Sequence, residues 1–463
     1  MEFRFALFFL FLYYIRPQDW VAGWAGFNII KPLMVVWIAA LYTTRNRPVV
    51  PGLLRTPHDW MVLLYYAYVV WNAPDTKAAF MGFMPLAVFY ALTVQSLVSW
   101  ERVLGYLKAW NFMLLGVAAM AVGSLYGLDL TGAVDVTARN AGRLSIGTWL
   151  HNNPNSLAHT VIVAIPLSYL LYFYKGSAMG RLVIFPLCAA LAAECAFHAS
   201  SKGSFLVAGG LVVLIFVIGR PLGIKILALS AAATMGVSAL SFLPRMSGMS
   251  SLSSNEGVQG RLMAWEMAKT VLDSSNTGVG WKQFVAWVSW EGETFVKATH
   301  SSYVQIGADL GVYGLFIYLT ALWTAQRSLL ATHRFTRHDR TREQCRRAGI
   351  VLVSAYAVSN WMINREYHSE YFLMIAVAAA IHRLCIYESR QESQPEPSRV
   401  AAMPVNRRSN PARKQHVSRQ EEEPSWEDSP PSLKSGPDWK DAVAGVALTW
   451  CVVEIWDYVL TSL

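Results

Sequence analysis

Apolar runs of the length that a bilayer requires recur along this chain of 463 residues. A transmembrane helix needs roughly 17–25 mainly apolar residues, and only elements that satisfy their own backbone hydrogen bonds can cross lipid. We therefore expect an all-α polytopic membrane protein with about 12 transmembrane helices. The twelve runs are 4–15, 22–43, 59–74, 79–98, 104–126, 156–174, 182–200, 203–219, 224–243, 304–324, 349–363 and 370–386.

The composition supports this class and excludes several others. The chain is 54% hydrophobic and only 15% charged, whereas soluble domains are about 25% charged. Its net charge of +9 is typical of a membrane protein with basic cytoplasmic loops. The sequence has no basic stripe interleaved with aromatic residues outside the loops, so we expect no nucleic-acid partner. The five cysteines have no metal-binding spacing, so they predict no cysteine-based metal site. We also expect no cofactor.

Arginines in one loop determine the predicted orientation. Residues 325–348 contain seven of them, and the positive-inside rule places such a loop in the cytoplasm. Counting spans from there, both termini are expected to be cytoplasmic. The long loop 244–303 then faces the outer side, where residues 261–272 have the pattern of an amphipathic helix.

The chain divides into three predicted parts. Residues 1–386 form the transmembrane domain. Residues 387–440 are rich in Pro, Ser, Glu, Gln and Arg, which predicts a disordered cytoplasmic tail that export or assembly proteins can bind. Residues 441–463 are apolar again, but their uncharged core is short, so an amphipathic or interfacial helix is favoured over a thirteenth span.

Polar residues gather on the predicted outer side, beginning with the loop before the run 156–174. Arg143 lies among small residues there. Asn153 and Asn155 flank Pro154, which equally fits a simple turn and helix cap. Lys202, in a Ser-Lys-Gly turn, is either an anion-binding cation or a lysine that reaches the lipid headgroups.

Two residues of the long outer loop are the strongest site candidates. We expect Arg261 in the first turn of its helix, where free backbone N–H groups and a guanidinium favour an anion. His300 precedes the polar start of the run 304–324. An imidazole suits proton transfer near neutral pH, although a structural, hydrogen-bonded histidine is the alternative. Arg365 lies in a polar turn before the last run.

The order of these motifs resembles the O-antigen ligase-like superfamily, which comprises O-antigen ligases, O-antigen polymerases and bacterial O-oligosaccharyltransferases. An Arg-bearing loop with a Pro-Asn step, a Ser-(basic)-Gly turn, Gly-Arg-x-x-x-Trp, Gly-x-Gly and a histidine step follow one another here. The resemblance covers roughly 1–386 and is strongest over 142–158 and 200–316. The stretch 14–20, Tyr-Ile-Arg-Pro-Gln-Asp-Trp, also looks like ligase-like members from exopolysaccharide or exosortase-linked loci.

The resemblance implies a GT-C-like, metal-independent, inverting membrane glycosyltransferase. It would move a glycan from undecaprenyl diphosphate to a hydroxyl of a lipid core, protein or surface polysaccharide. The active face would be the periplasmic side of the bacterial inner membrane. A polymerase of O-antigen or exopolysaccharide is the nearest alternative. A transporter or flippase of lipid-linked sugars is another, although polarity at one face argues against it.

The resemblance also implies residue roles. His300 and Arg261 would be catalytic. Lys202 and Arg143 would join Arg261 in binding the diphosphate, with Lys202 standing where many members have arginine and therefore lacking the bidentate fork. The supporting residues would be Asn153, Asn155, Ser301 and Arg365.

Overall fold

The computed structural model describes residues 1–24, 27–44, 52–217, 256–290, 293–392 and 433–462, with five further residues between 223 and 230. Up to residue 217 the helices are α1 Glu2–Tyr14, α2 Pro17–Trp20, α3 Ile30–Thr43, α4 Pro57–Trp71, α5 Thr76–Ser96, α6 Trp100–Leu125, α7 Ala133–Arg139, α8 Pro154–Phe173, α9 Gly180–Ala199 and α10 Lys202–Val217. After it come α11 Glu256–Ser274, the antiparallel strands β1 Ala286–Trp290 and β2 Glu293–Lys297, α12 Ser302–Ala331, α13 His333–Thr336, α14 Arg340–Ser359, α15 Ser369–Glu392 and α16 Trp439–Ser462.

The helices agree with the predicted class. Within the described residues, seven helices are long and apolar enough to cross a membrane, judged by length and composition. Eleven of the twelve predicted runs coincide with a helix, and the run 224–243 lies almost wholly outside the described residues. The chain is thus a mostly helical, polytopic membrane protein, and the count of twelve spans stays a prediction. Most of the predicted tail, residues 393–432, also lies outside the described part.

Polar contacts gather at two ends of the helix bundle. At one end, which we call the arginine-rich end, the Glu343 carboxylate binds Arg346 and Arg347 at 2.7 Å each. At the other end, the Arg365 guanidinium donates to Ser156 O at 2.8 Å and Asn72 donates to Thr277 O at 2.7 Å. The loops predicted to lie on the outer side therefore pack on one another.

The Gly-Val-Gly step of the outer loop hydrogen-bonds to helix α12 at a point where that helix is interrupted. Gly311 has φ 66° and ψ −169°, a conformation that is nearly exclusive to glycine. The break leaves carbonyls of the preceding turn without helical donors. Val279 N donates to Ala308 O at 3.0 Å and Gly280 N to Asp309 O at 2.7 Å. These glycines are therefore structural.

We expect Gly311→Ala to destabilise the protein by at least about 2 kcal/mol, because the new methyl group adds a clash to backbone strain. A Cβ at this position would lie 2.1 Å from Asn276 O. Gly209→Ala is the matched control, since a Cβ there has no neighbour within 4 Å. Thermal melting in detergent, followed by size-exclusion chromatography, measures both. Equal melting temperatures would contradict this account of the kink.

The last helix, α16, runs antiparallel to α12. Near its start, Asp441 binds Arg327 at 2.9 Å. Near its end, the fully buried Trp456 ring covers Gly307. An interfacial helix would instead lie across the ends of the bundle. The packing, together with a length and composition sufficient for a span, favours a membrane-crossing position over the interfacial position expected from the sequence.

Candidate active site

Helix α11 carries Arg261 on the side that faces α14 and α16. It extends from Glu256 to Ser274, so Arg261 lies at least five residues beyond the helix start. The prediction that Arg261 occupies the first turn was therefore wrong. The backbone N–H groups around Arg261 are used within the helix, and any anion there would be held by side chains rather than by a helix N-terminus.

His300 lies on the segment that joins β2 to α12. Its backbone is left-handed, with φ 51°, a region that histidine tolerates better than most residues. The preceding residue is held from two sides: Trp265 Nε1 donates to Thr299 O at 2.7 Å, and the Thr299 hydroxyl lies 3.2 Å from Asn364 Oδ1. His300 is thus fixed between α11 and the turn 360–368.

Arg261 and His300 line one cavity of about 420 Å³, which we call the cationic cavity. Its walls are otherwise mainly apolar. They include Leu262, Trp265, Val358, Trp361, Ile455 and Val459. Two of these residues belong to α16, so a helix far away in the sequence completes the cavity. A few polar groups among apolar walls are typical of a ligand site.

Positive charge dominates the polar part of the cationic cavity. Arg261 is partly buried, and among the described residues its guanidinium has no ion-pair partner. Burial lowers its pKa. Lys297 packs on the same helix next to Gly260, where an added Cβ would be 3.3 Å from Lys297 Nζ, and its charge acts on His300 together with that of Arg261. An unpaired charge out of water is costly, so this arrangement favours an anionic ligand.

The same environment keeps His300 uncharged at neutral pH. Burial, followed by the positive charges of Arg261 and Lys297, lowers the pKa of His300 to about 4. No other described residue hydrogen-bonds to either ring nitrogen. A neutral imidazole with a free lone pair can accept a proton from a bound hydroxyl.

We expect Arg261→Gln to raise the pKa of His300, because a repelling cation is removed while burial remains. The new value should stay below the usual 6.5 or so. Diethyl pyrocarbonate modifies only neutral imidazole. Its reaction with the His300 peptide, followed by mass spectrometry, should therefore persist to lower pH in the wild type than in the variant. Identical pH profiles would contradict the coupling between the two residues.

Lys202 lies close to the cationic cavity. It is the first residue of α10, and its neighbour Gly203 packs against two side chains. A Cβ at Gly203 would lie 3.1 Å from Met362 Cγ, which borders the cavity, and 3.2 Å from His159 Nε2. The structure therefore brings Lys202 to the same end of the bundle as Arg261 and His300.

Arg143 has contacts that position the turn before Lys202. Its guanidinium donates to Asn155 Oδ1 at 2.7 Å, to Ala199 O at 3.2 Å and to Ser200 O at 3.3 Å. Asn153 caps α8 by accepting from Asn155 N at 2.9 Å. The contacts of Asn153 thus agree with the alternative interpretation of this residue as a helix cap. The contacts of Arg143 are those of a residue that holds the end of α9 in place.

Ser301 and Arg365 connect the segments around His300 to neighbouring helices. The Ser301 hydroxyl caps α12 and donates to Asn360 O at 3.2 Å. Arg365 is buried; it binds Glu370 at 2.5 Å and also contacts the Thr160 hydroxyl. These bonds attach the turn 360–368 to α8 and α15. Both side chains therefore have structural contacts, and their supporting role in a reaction stays a prediction.

The comparison with protein families selects this same region. Residues 187–319 match the family model described as O-antigen ligase. The match confirms the resemblance to the O-antigen ligase-like superfamily, and it implies glycosyl transfer of that general kind. No curated protein matches the chain. The ligase-like segment amounts to less than a third of the sequence, yet it contains Lys202, Arg261, Lys297 and His300.

Three features of the site were missed by the sequence analysis. Lys297 ends a short hairpin whose strands have no distinctive pattern in a loop. His159 has one ring nitrogen 3.0 Å from Ser359 Oγ and the other beside Gly203, but it lies inside an apolar run. The contribution of α16 depends on a tertiary contact and leaves no local signal.

Proposed function

We propose that this protein transfers a glycan from undecaprenyl diphosphate to an acceptor hydroxyl, with inversion, at the cationic cavity. One observation carries the proposal: Arg261 has no counter-ion among the described residues, yet it lies in an apolar cavity beside a neutral histidine. Such a cavity suits a ligand that combines phosphate with hydrocarbon. The matching ligase-like segment contains both residues.

The diphosphate would be bound by charge. Arg261 offers a bidentate fork, and Lys297 and Lys202 add two point charges at the same end. As the sugar–phosphate bond breaks, negative charge builds up on the leaving diphosphate, and fixed cations stabilise it most in a site with little water. The apolar walls from α11, α14 and α16 would contact the first part of the lipid chain.

The transfer step forms one bond and breaks another. The acceptor oxygen attacks the anomeric carbon, the C–O bond to the phosphate breaks, and lipid diphosphate leaves with the electron pair. His300 takes the hydroxyl proton. Attack opposite the leaving group inverts the anomeric centre, and a positioned general base contributes roughly 10²–10⁴-fold in rate.

Donor binding would itself activate His300. The positive charges of Arg261 and Lys297 lower the pKa of His300 in the absence of ligand. A bound diphosphate offsets those charges and favours the protonated imidazole. His300 therefore becomes a better base when the donor is in place, which couples proton transfer to donor binding.

We place the site at the periplasmic face of the bacterial inner membrane, opposite the arginine-rich end. If α16 crosses the membrane antiparallel to α12, the C-terminus lies on the side of the site. This differs from the expectation that both termini are cytoplasmic. A tag after residue 463 should then be labelled by a membrane-impermeant reagent in spheroplasts, while an N-terminal tag is protected.

Proteoliposomes that contain the purified chain and a glycan on undecaprenyl diphosphate test the function. We expect transfer to an added acceptor, with an inverted anomeric configuration by NMR. Label on a lipid core or protein indicates a ligase, whereas a ladder of longer lipid-linked glycan indicates a polymerase. Donor that crosses the bilayer with no new glycosidic bond would overturn the proposal in favour of a flippase.

A further inference from the structure

A second cavity, of about 350 Å³, opens at the same end of the bundle between α1, α3 and α5. We call it the neutral cavity. Its lining has an apolar part, which we call the base and which includes Leu12 and Leu86, and a polar part, which we call the rim. The rim includes Arg16 and Gln18 from the Arg-Pro-Gln-Asp-Trp segment, a motif with no role in the cationic cavity.

Three residues that line the neutral cavity each have a buried polar atom that lacks a hydrogen-bond partner among the described residues. The atoms are Tyr13 Oη, Gln18 Oε1 and His368 Nδ1. Tyr13 is only 6% exposed. Gln18 is already oriented, because its amide nitrogen donates to Leu12 O at 3.1 Å. Buried polar groups are nearly always paired, so three orphans around one cavity indicate a ligand.

The neutral cavity differs from the cationic cavity in the charge of its lining. Arg16 binds both oxygens of Asp19, at 2.5 and 3.0 Å, so its charge is offset. Asp19 also accepts from Trp149 N at 2.7 Å. The three groups with an unpartnered atom are a phenol, an amide and an imidazole, and the lining residues Asn28, Tyr367 and Ser369 are also uncharged. This set favours a polyhydroxylated neutral ligand over a phosphate.

Ring contacts connect three residues of the rim. The Arg16 guanidinium lies 5.0 Å from the Trp149 ring, and that ring stacks on His368 at 5.0 Å between centroids with 22° between planes. Burial, helped by the nearby positive charges of Arg365, Lys282 and Arg16, lowers the pKa of His368. The ring is therefore neutral, with one donor and one acceptor nitrogen held in a fixed orientation.

The turn 360–368 connects the two cavities. His368 and Tyr367 line the neutral cavity. Asn364, three residues earlier than Tyr367, accepts from the Thr299 hydroxyl next to His300. A ligand in the neutral cavity would thus lie at the opposite end of the short segment that fixes His300.

We propose that the neutral cavity binds an uncharged sugar unit of one of the two glycans, through Tyr13, Gln18 and His368. That a glycan is the source rests on the proposed function, whereas sugar binding itself does not. The acceptor is one source and the donor glycan is the other. Both share the same chemistry, and kinetics can separate them.

Saturation-transfer difference NMR on the full chain in lipid nanodiscs tests binding without turnover. The probes are glucose, galactose and N-acetylglucosamine. We expect ring-proton signals from at least one of them. Tyr13→Phe and His368→Phe, which retain an aromatic ring at each position but remove hydrogen-bonding groups, should each weaken binding by about fivefold. Tyr106→Phe is the control, since Tyr106 is equally buried but lines neither cavity.

Further variants, a competing ligand and transfer kinetics distinguish failure of this proposal from failure of the proposed function. Leu86→Trp, which fills the base of the cavity, should abolish the sugar signal, whereas inorganic diphosphate and His300→Asn should leave it unchanged. In the transfer assay, a raised KM for the acceptor alone in Tyr13→Phe identifies acceptor sugar, and a raised KM for the donor alone identifies donor glycan. Equal sugar binding in wild type and Leu86→Trp, or no binding of any probe, would overturn the proposal.

Discussion

Replacing His300 by asparagine should lower the rate of glycan transfer by roughly 10²–10⁴-fold, the usual contribution of a positioned general base. Asparagine is the appropriate replacement because His300 has φ 51°. Among non-glycine residues, asparagine tolerates this left-handed backbone well, so the loss would reflect the imidazole rather than backbone strain. Initial rates in proteoliposomes at saturating donor provide the measurement.

His338→Asn is the matched control for this experiment. His338 is exposed at the arginine-rich end, far from the cationic cavity, and its removal should leave the rate within a factor of two or so of the wild type. Arg261→Lys supplies an independent check, because it retains the charge but loses the fork and should mainly weaken donor binding. Normal turnover by His300→Asn at normal expression would show that the base has been misassigned.

Trp456→Ala should reduce transfer by about 10²-fold, although Trp456 does not line the cationic cavity. The ring is fully buried over Gly307, and Trp456 Nε1 donates to Trp265 O at 3.2 Å. Trp265 in turn donates to Thr299 O, the carbonyl next to His300. Loss of a buried tryptophan costs about 3–5 kcal/mol of packing in well-studied cores, and here the loosened contacts would lead to His300, the proposed base.

Trp450 on the same helix offers a matched control. Its side chain is 64% exposed, so Trp450→Ala removes a similar volume without loosening the site. We expect kcat near that of the wild type for Trp450→Ala and a reduced kcat for Trp456→Ala, with comparable amounts of folded protein by size-exclusion chromatography. Equal effects of the two substitutions would mean that α16 acts only as a membrane anchor.

Local sequence patterns predicted much of the architecture. Hydropathy identified eleven helices and the helix around Arg261 because each depends on neighbouring residues alone. The cations near the cationic cavity and His300 were selected as candidates for a similar reason, because they interrupt apolar surroundings, and their roles stay predictions. The helix start before Arg261 was misplaced because Gly257 and Gly260, two weak helix formers, interrupt the helical pattern there. The hairpin that ends at Lys297 was missed because its pairing depends on residues up to eleven positions apart.

Residue roles depended on contacts that a linear pattern does not contain. Arg143 and Arg261 look alike in the sequence, each a lone arginine in an outer loop. In the fold, Arg143 binds the carbonyls that end α9, whereas Arg261 faces a cavity without a counter-ion among the described residues. The difference arises because distant segments supply acceptors to one arginine and apolar walls to the other.

The sequence by itself determined that this is a helical membrane protein with an O-antigen ligase-like segment, and it located the polar residues that separate the apolar helices. Hydrophobicity and charge are properties of neighbouring residues, so they can be read without a fold. Only the tertiary structure decided that α16 returns to complete the cationic cavity. It also decided that Tyr13, Gln18 and His368 surround a second cavity. Both arrangements join segments more than a hundred residues apart, and their pairing is set by packing, which no local pattern encodes.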